Sequence, residues 1–110
     1  MEKKIKNAID LVRENLSEIH NVAEWSDEMG YKKPRNFSED FNDCFGEKPL
    51  KVLVKLKLAK AINMLQKDPD ILHYQVARAI GLANEQSLYK FIKHHTGKPP
   101  THFKKKKQVS

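Results

Sequence analysis

The apolar residues of this 110-residue chain recur mainly at steps of three and four, the spacing that places side chains on one face of an α-helix. The first run predicts a helix reaching residue 19, whose buried face comprises Ile5, Ala8, Ile9, Val12, Leu16 and Ile19. Asn21 and Glu24 then form a capping-box pattern. A second helix is therefore expected from about Val22, with its inner side formed by Val22, Trp25, Ser26 and Met29 and its end at Gly30.

Four further helices follow from the same spacing. After a turn at residues 31–34, a third helix carries Phe37, Phe41 and Phe45 and ends at Gly46. A long linker helix is predicted until Asp68-Pro69-Asp70, with apolar positions at Leu50, Leu53, Val54, Leu56, Leu58, Ala61, Ile62 and Leu65. Residues 71–80 and 87–95 carry the last patterns, and no strand pattern is present, so the fold class is all-α with about seven helices.

The chain contains an internal repeat. A shift of 51 residues aligns Trp25 with Val76, Ser26 with Ala77, Met29 with Ile80, Gly30 with Gly81, Phe37 with Leu88, Phe41 with Ile92, Gly46 with Gly97 and Pro49 with Pro100. Each copy reads as a helix pair joined by a tight turn, which is how a helix-turn-helix presents its second helix to the DNA major groove. A plain helical bundle is the alternative explanation.

This repeat divides the chain into four segments. Residues 1–49 form an N-terminal helix and the first helix-turn-helix unit, and residues 50–67 form the linker helix. Residues 68–104 form the second helix-turn-helix unit, and residues 105–110 form a basic tail that is expected to be disordered.

Charge is unevenly distributed over these segments. The chain carries a formal net charge of +7, which favours a polyanionic partner. Residues 1–20 have no net charge, residues 21–49 carry four basic and seven acidic side chains, and residues 50–110 carry thirteen basic and three acidic ones. We therefore expect the second unit to supply most of the attraction to phosphate.

The segment from Asn21 to Lys104 resembles the DNA-binding domain of the AraC/XylS transcription regulators. The resemblance rests on Val76-Ala77, Gly81-Leu82, the run from Ser87 to Lys93, Gly97-Lys98-Pro99-Pro100 and Phe103-Lys104, together with Lys57-Leu58, Ala61 and Leu65 of the linker. It implies that the residues meeting DNA are Arg35, Asn36, Ser38 and Glu39 in the first unit and Gln86, Ser87, Tyr89, Lys90 and Lys93 in the second. Glu39 and Asp40 depart from the family pattern, which has no acid there as a rule, and they indicate weaker DNA binding by the first unit.

The function that the resemblance implies is sequence-specific binding of double-stranded DNA in transcription regulation, with recognition helices in the major groove. The expected further partner is RNA polymerase or another regulator domain, and the expected state is a monomer in the cytoplasm. If both units reached successive major grooves, about 34 Å apart, the site would span roughly 20 base pairs. Two alternatives stay open: a protein-interaction module with weak or non-specific DNA binding, and a fragment of a regulator whose sensor domain lies elsewhere.

Other classes of protein lack support in the sequence. An enzyme is not expected, since there is no phosphate-binding glycine loop, no nucleophile beside a base and no metal triad. No cofactor is expected, and no metal site is expected from His94, His95 and His102. No apolar run reaches the roughly 18 residues of a membrane-spanning helix.

Several single residues carry structural expectations. Cys44, the only cysteine, excludes an internal disulfide and is expected to be a buried, inert thiol. Trp25 is expected in the core. Asp70 is expected to cap the first helix of the second unit, because Leu72 stands where a Ser or Thr is usual and His73 where an apolar residue is usual. The linker lysines are expected on a solvated face, and they are Lys51, Lys55, Lys57 and Lys60.

Overall fold

Residues 4–104 are described by the computed structural model, and within that range they form six α-helices, two short 3-10 segments and no strand. The 3-10 segments are Ile5–Asn7 and Pro100–Phe103, and the helices are α1 (Ala8–Glu14), α2 (Val22–Glu28), α3 (Pro34–Phe45), α4 (Pro49–Lys67), α5 (His73–Ala79) and α6 (Glu85–Thr96). The all-α class is confirmed, with a helix count close to the expected one. The tail at 105–110 lies outside the described residues.

The chain divides into two compact units, Met1–Leu56 and Lys57–Ser110. The division falls within α4, so this helix supplies side chains to both cores. Val52 and Leu53 are buried in the first core, and Ala61 and Leu65 in the second.

Aromatic side chains dominate the first core. Trp25, Phe37 and Phe41 are fully buried, and the Trp25 ring meets the other two edge to face at centroid distances of 5.3 and 5.1 Å. This geometry is favourable because a positive ring edge faces a negative ring surface. The indole N–H donates to the Ala8 carbonyl at 3.1 Å, which satisfies the one polar atom of the ring. The expectation that Trp25 is a core residue is confirmed.

The first helix is shorter than its periodicity predicted. α1 ends at Glu14, and the Asn15 side-chain amide donates to the Leu11 carbonyl at 2.7 Å. This bond satisfies a carbonyl left without an intrahelical partner at the helix end, so the chain can turn there. Leu16 and Ile19 remain buried although they follow the helix, so the apolar pattern identified core residues beyond the helix itself.

The predicted capping box at α2 is half correct. The Asn21 side chain accepts from the Glu24 backbone N–H at 2.8 Å, and α2 starts at Val22 as expected. The Glu24 carboxylate accepts from the backbone N–H of His20 at 2.9 Å instead of that of Asn21. The reciprocal bond is therefore displaced by one residue toward the N-terminus.

Three side chains lie on the opposite side from their expected one. Cys44 is exposed, because Phe45 takes the inner side of the last turn of α3, with its ring 4.5 Å from that of Phe41. Leu50 is 60% exposed although it belongs to the apolar pattern of the linker. Lys57 is buried instead of lying on a solvated face.

The second core repeats the arrangement of the first with aliphatic residues. Its fully buried side chains from α5 and α6 are Val76, Ala77, Leu88 and Ile92. Both α3 and α6 end in a left-handed glycine, Gly46 at φ 75° and Gly97 at φ 78°. An added Cβ would meet nothing within 4 Å at either glycine, so the backbone conformation, not lack of space, requires glycine there.

The expected Asp70 cap of α5 is wrong. α5 begins at His73 with Leu72 at the N-cap, and the Leu72 N–H donates to Gln75 Oε1 at 3.1 Å. The Asp70 N–H itself donates to Asp68 Oδ1 at 3.0 Å, within the turn before the helix. Because leucine has no side-chain acceptor, only the Gln75 half of a capping box is present.

His73 makes the stability of the second unit depend on pH. Its Nε2 is buried and has no hydrogen-bond partner within residues 4–104, and burial, aided by the charge of Lys104, lowers the His73 pKa. The unfolded chain therefore binds a proton more readily, so stability should be greatest above about pH 6.5 and fall as the pH drops through the folded-state pKa.

We predict that His73→Leu reduces this acid destabilisation, measured as the urea midpoint by circular dichroism across the pH range. A remainder should persist, because burial also lowers the His95 pKa. The control is the exposed His102, changed to Leu. Equal pH dependence in the His73 and His102 variants would contradict the assignment.

Candidate nucleic-acid interface

The second unit presents four exposed side chains in a line along α6. Gln86, Tyr89, Lys90 and Lys93 are spaced i, i+3, i+4 and i+7, so they share one helix face. We call them the second stripe. The helix is held by its other side, through the buried pair Leu88 and Ile92.

Ser87 is the expected second-unit residue that lies off this stripe. Its backbone N–H donates to the Asn84 side chain at 2.8 Å, in the N-terminal cap of α6, and its side chain is half-buried. The structure thus brings four of the five expected residues of this unit together.

A corresponding line runs along α3. Arg35, Ser38, Glu39 and Asn42 occupy the same spacing, and each is 51 residues before its counterpart in the second stripe. We call these four residues the first stripe. Asn42 was not among the expected site residues, although the repeat pairs it with Lys93 and could have identified it.

Asn36 lies apart from the first stripe. It lines a different shallow groove of α3, together with Tyr31, Asp40 and Asp43, and Glu39 is the stripe residue that also borders this groove. In that groove the Tyr31 hydroxyl donates to the Asp40 carboxylate at 2.7 Å. The Asp40 carboxylate, which departs from the family pattern, therefore has a hydrogen-bond partner within its own unit.

The two stripes differ in charge. In the first, Arg35 Nε lies 3.9 Å from Glu39 Oε1, and the two side chains are 88% and 66% exposed. Their charges cancel, so the first stripe has no formal net charge. In the second stripe Lys90 and Lys93 make no ion pair with any residue between 4 and 104, and no carboxylate belongs to the stripe.

A further cation lies near the start of α6. The Arg78 guanidinium donates to the Tyr74 hydroxyl at 3.1 Å and lies 5.5 Å from the centre of the same ring. Tyr74 in turn borders a groove that includes Asn84, Gln86 and the acidic Glu85. Arg78 thus adds positive charge beside the second stripe, at a position that the family resemblance did not identify.

Two lysines hold α5 at its ends. The buried Lys57 ammonium donates to the Ile80 carbonyl at 2.8 Å, and Lys104 donates to the Ile71 carbonyl. A cation at Ile80 is favourable because the carbonyl end of a helix carries partial negative charge. Ile80 begins the turn that leads to α6, so the Lys57 contact fixes the chain just before the second stripe.

The first stripe borders a groove of about 490 Å³. It is lined by all four stripe residues together with Val22, Lys48, Pro49 and Leu50. The exposed Leu50 makes this groove partly apolar, in contrast to the charged surroundings of the second stripe.

A family model described as "Helix-turn-helix domain" matches residues 33–106, which is more than half of the chain. The chain belongs to this helix-turn-helix family. The match extends from the residue before α3 through the end of the second unit, so it includes both stripes. No curated protein gives a significant match.

Solved structures of AraC-type domains share the fold of this family member. The DNA-binding domain of AdpA, described as a global transcriptional factor and solved with a target DNA, has a TM-score of 0.76 at 20% identity, over 93% of this chain and 90% of that one. An AraC-type regulator from Chromobacterium violaceum has a TM-score of 0.72 at 20% identity, over 91% and 88%. The C-terminal domain of AraT, a response regulator from Geobacillus stearothermophilus, has a TM-score of 0.80 at 15% identity, over 96% and 87%. This helix-turn-helix domain therefore has the fold of the AraC-type domains, with two helix-turn-helix units.

Within residues 4–104, no group of three or more His, Cys, Asp or Glu side chains is placed to hold a metal ion. None of the helices in that range is long and apolar enough to cross a membrane.

We predict that Lys57→Met destabilises the second helix-turn-helix unit, because the Ile80 carbonyl loses its buried donor while the side-chain volume is kept. The expected loss is roughly 1–3 kcal/mol of unfolding free energy. Urea unfolding followed by circular dichroism measures it, with the exposed Lys60→Met on the same helix as control. Equal stability of the two variants would show that the Lys57 bond does not support this unit.

Proposed function

We propose that this domain binds double-stranded DNA in a sequence-specific manner in transcription regulation, and that its second unit supplies most of the attraction to phosphate. The observation that carries the proposal is the contrast between the stripes. Two lysines that form no ion pair with any residue from 4 to 104 project from α6 at the positions where α3 has a glutamate and an asparagine.

The side chains of both stripes suit the major groove. Glutamine and asparagine form paired hydrogen bonds with adenine N6 and N7, and arginine or lysine does so with guanine O6 and N7. Gln86 thus provides base contacts in the second unit, where Lys90 contacts phosphate, and Arg35 and Asn42 provide base contacts in the first. The DNA complex of the AdpA domain, which has the same fold, supports this use of the helices.

Arg35 must break an ion pair with Glu39 before it can contact DNA, whereas Lys90 has no ion pair to break within residues 4–104. Its exposed ion pair with Glu39 is weak, of the order of 0.3–0.5 kcal/mol for such helix pairs, so the guanidinium can move to a guanine. The Glu39 carboxylate would then stand unpaired near phosphate. The first unit therefore gains no net electrostatic attraction from the contact.

The surrounding charge strengthens this asymmetry. Residues 21–49, which contain α2 and α3, carry a formal charge of −3, whereas residues 50–110 carry +10. Binding that neutralises phosphates releases counterions and is therefore sensitive to salt. We place the main source of that sensitivity in the second unit.

We further propose an oligomeric state, a location and a further partner for the domain. The domain acts as a monomer in the cytoplasm, where its DNA partner is, and RNA polymerase or another regulator domain is its further partner. No observation on the described residues favours an enzymatic role. The competing proposal is a protein-interaction module, for which the acidic first unit is the supporting feature.

The test uses two neutralising variants at positions that the repeat makes equivalent. Lys90→Gln should weaken binding and flatten the slope of log K against log salt by about 0.9, since one phosphate contact is lost. Glu39→Gln should leave the affinity unchanged or raise it, because a repulsive charge is removed. The measurement is an anisotropy titration across a salt series, on an operator selected from a random DNA pool.

The opposite ranking, with Glu39→Gln the more damaging variant, would refute the leading role of the second unit. A selection that enriches no site would instead favour the protein-interaction module.

A further inference from the structure

Leu50 is an exposed apolar side chain beside the first stripe. It lies in the first turn of α4, is 60% exposed, and lines the same groove as Arg35, Ser38, Glu39 and Asn42. Leaving a leucine in water forgoes the favourable transfer from which buried side chains benefit. The core of the first unit therefore does not explain why this position is apolar.

The second unit shows that the fold accepts polar residues here. The 51-residue shift aligns Leu50 with the exposed Thr101 and the half-buried Val22 with His73. Two of the three apolar side chains that line the first groove thus have polar counterparts, while the third, Pro49, aligns with Pro100. The apolar character of Leu50 and Val22 is therefore specific to the first unit, and it accompanies the stripe that has no net charge.

These observations favour recognition of bases over attraction to phosphate. In the major groove, thymine presents a C5 methyl group, which apolar side chains contact, and its partner adenine offers N6 and N7 to an asparagine. Leu50 and Asn42 line the same groove. Leu50 therefore provides an apolar surface, and Asn42 provides an amide, beside the α3 residues that would enter the major groove.

We propose that Leu50 is a specificity-determining residue that contacts the C5 methyl of a thymine, so that the first unit selects sequence while the second unit supplies affinity. This inference rests on the proposed DNA binding. The exposed leucine is assigned to DNA because all four residues of the first stripe line the same groove as Leu50.

The experiment removes a single methyl group from the DNA. Each thymine of the selected operator is replaced in turn by uracil, which lacks only the C5 methyl, and affinities are measured for the wild type and for Leu50→Ser. At one position uracil should weaken wild-type binding roughly fourfold, the effect of one buried methyl group. The Leu50→Ser protein should bind the two DNAs equally at that position.

Two further variants separate this contact from general effects. Leu50→Met keeps an apolar side chain and should retain the response to uracil. Leu72→Ser removes a leucine that is equally exposed, at 61%, in the second unit, and should respond to uracil as the wild type does.

The outcomes distinguish this inference from the proposed function. If the wild type binds a specific operator but no uracil weakens it, or if Leu50→Ser loses as much as the wild type, the Leu50 contact is refuted and DNA binding stands. If the selection enriches no site at all, both proposals fail.

Discussion

The rotation of each recognition helix about its own axis is set by one pair of buried apolar side chains. Phe37 and Phe41 anchor α3, and Leu88 and Ile92 anchor α6, all fully buried. Turning either helix would expose both members of its pair, at about 1.5–3 kcal/mol for each side chain. The outward positions are therefore fixed by the core, and the 51-residue repeat places them at the same steps in both units.

Because the buried positions of the two units match, the units differ mainly in the side chains that point outward. The first stripe pairs Arg35 with Glu39, and the second offers Lys90 and Lys93 without a carboxylate. Arg78 adds a further cation beside α6, whereas Leu50 gives α3 an apolar neighbour. Under the proposed function, the shared fold supports two kinds of contact with DNA, one through charge and one through the shape and chemistry of base edges.

Periodicity along the chain predicted the helices and most of the core, since a face of a helix follows from spacing alone. Periodicity could not show where the core ends, so Cys44 and Leu50 were expected on the inner side of their helices, whereas both are exposed. Lys57 was missed for another reason: its partner, the Ile80 carbonyl, is 23 residues away, and no local pattern reveals such a contact. In the site, family resemblance selected Asn36, whereas the internal repeat points to Asn42 through its match with Lys93.

We propose that positive charge on α6 determines most of the affinity for DNA and that positive charge on α3 cannot replace it. Exchanging the two equivalent side chains, Glu39→Lys together with Lys90→Glu, leaves the net charge of +7 unchanged. An anisotropy titration on the selected operator measures the DNA affinity of this double variant and is the most direct test. We predict at least about tenfold weaker binding than for the wild type, equivalent to one lost charged contact of roughly 1.4 kcal/mol. Wild-type affinity in the exchanged protein would contradict it.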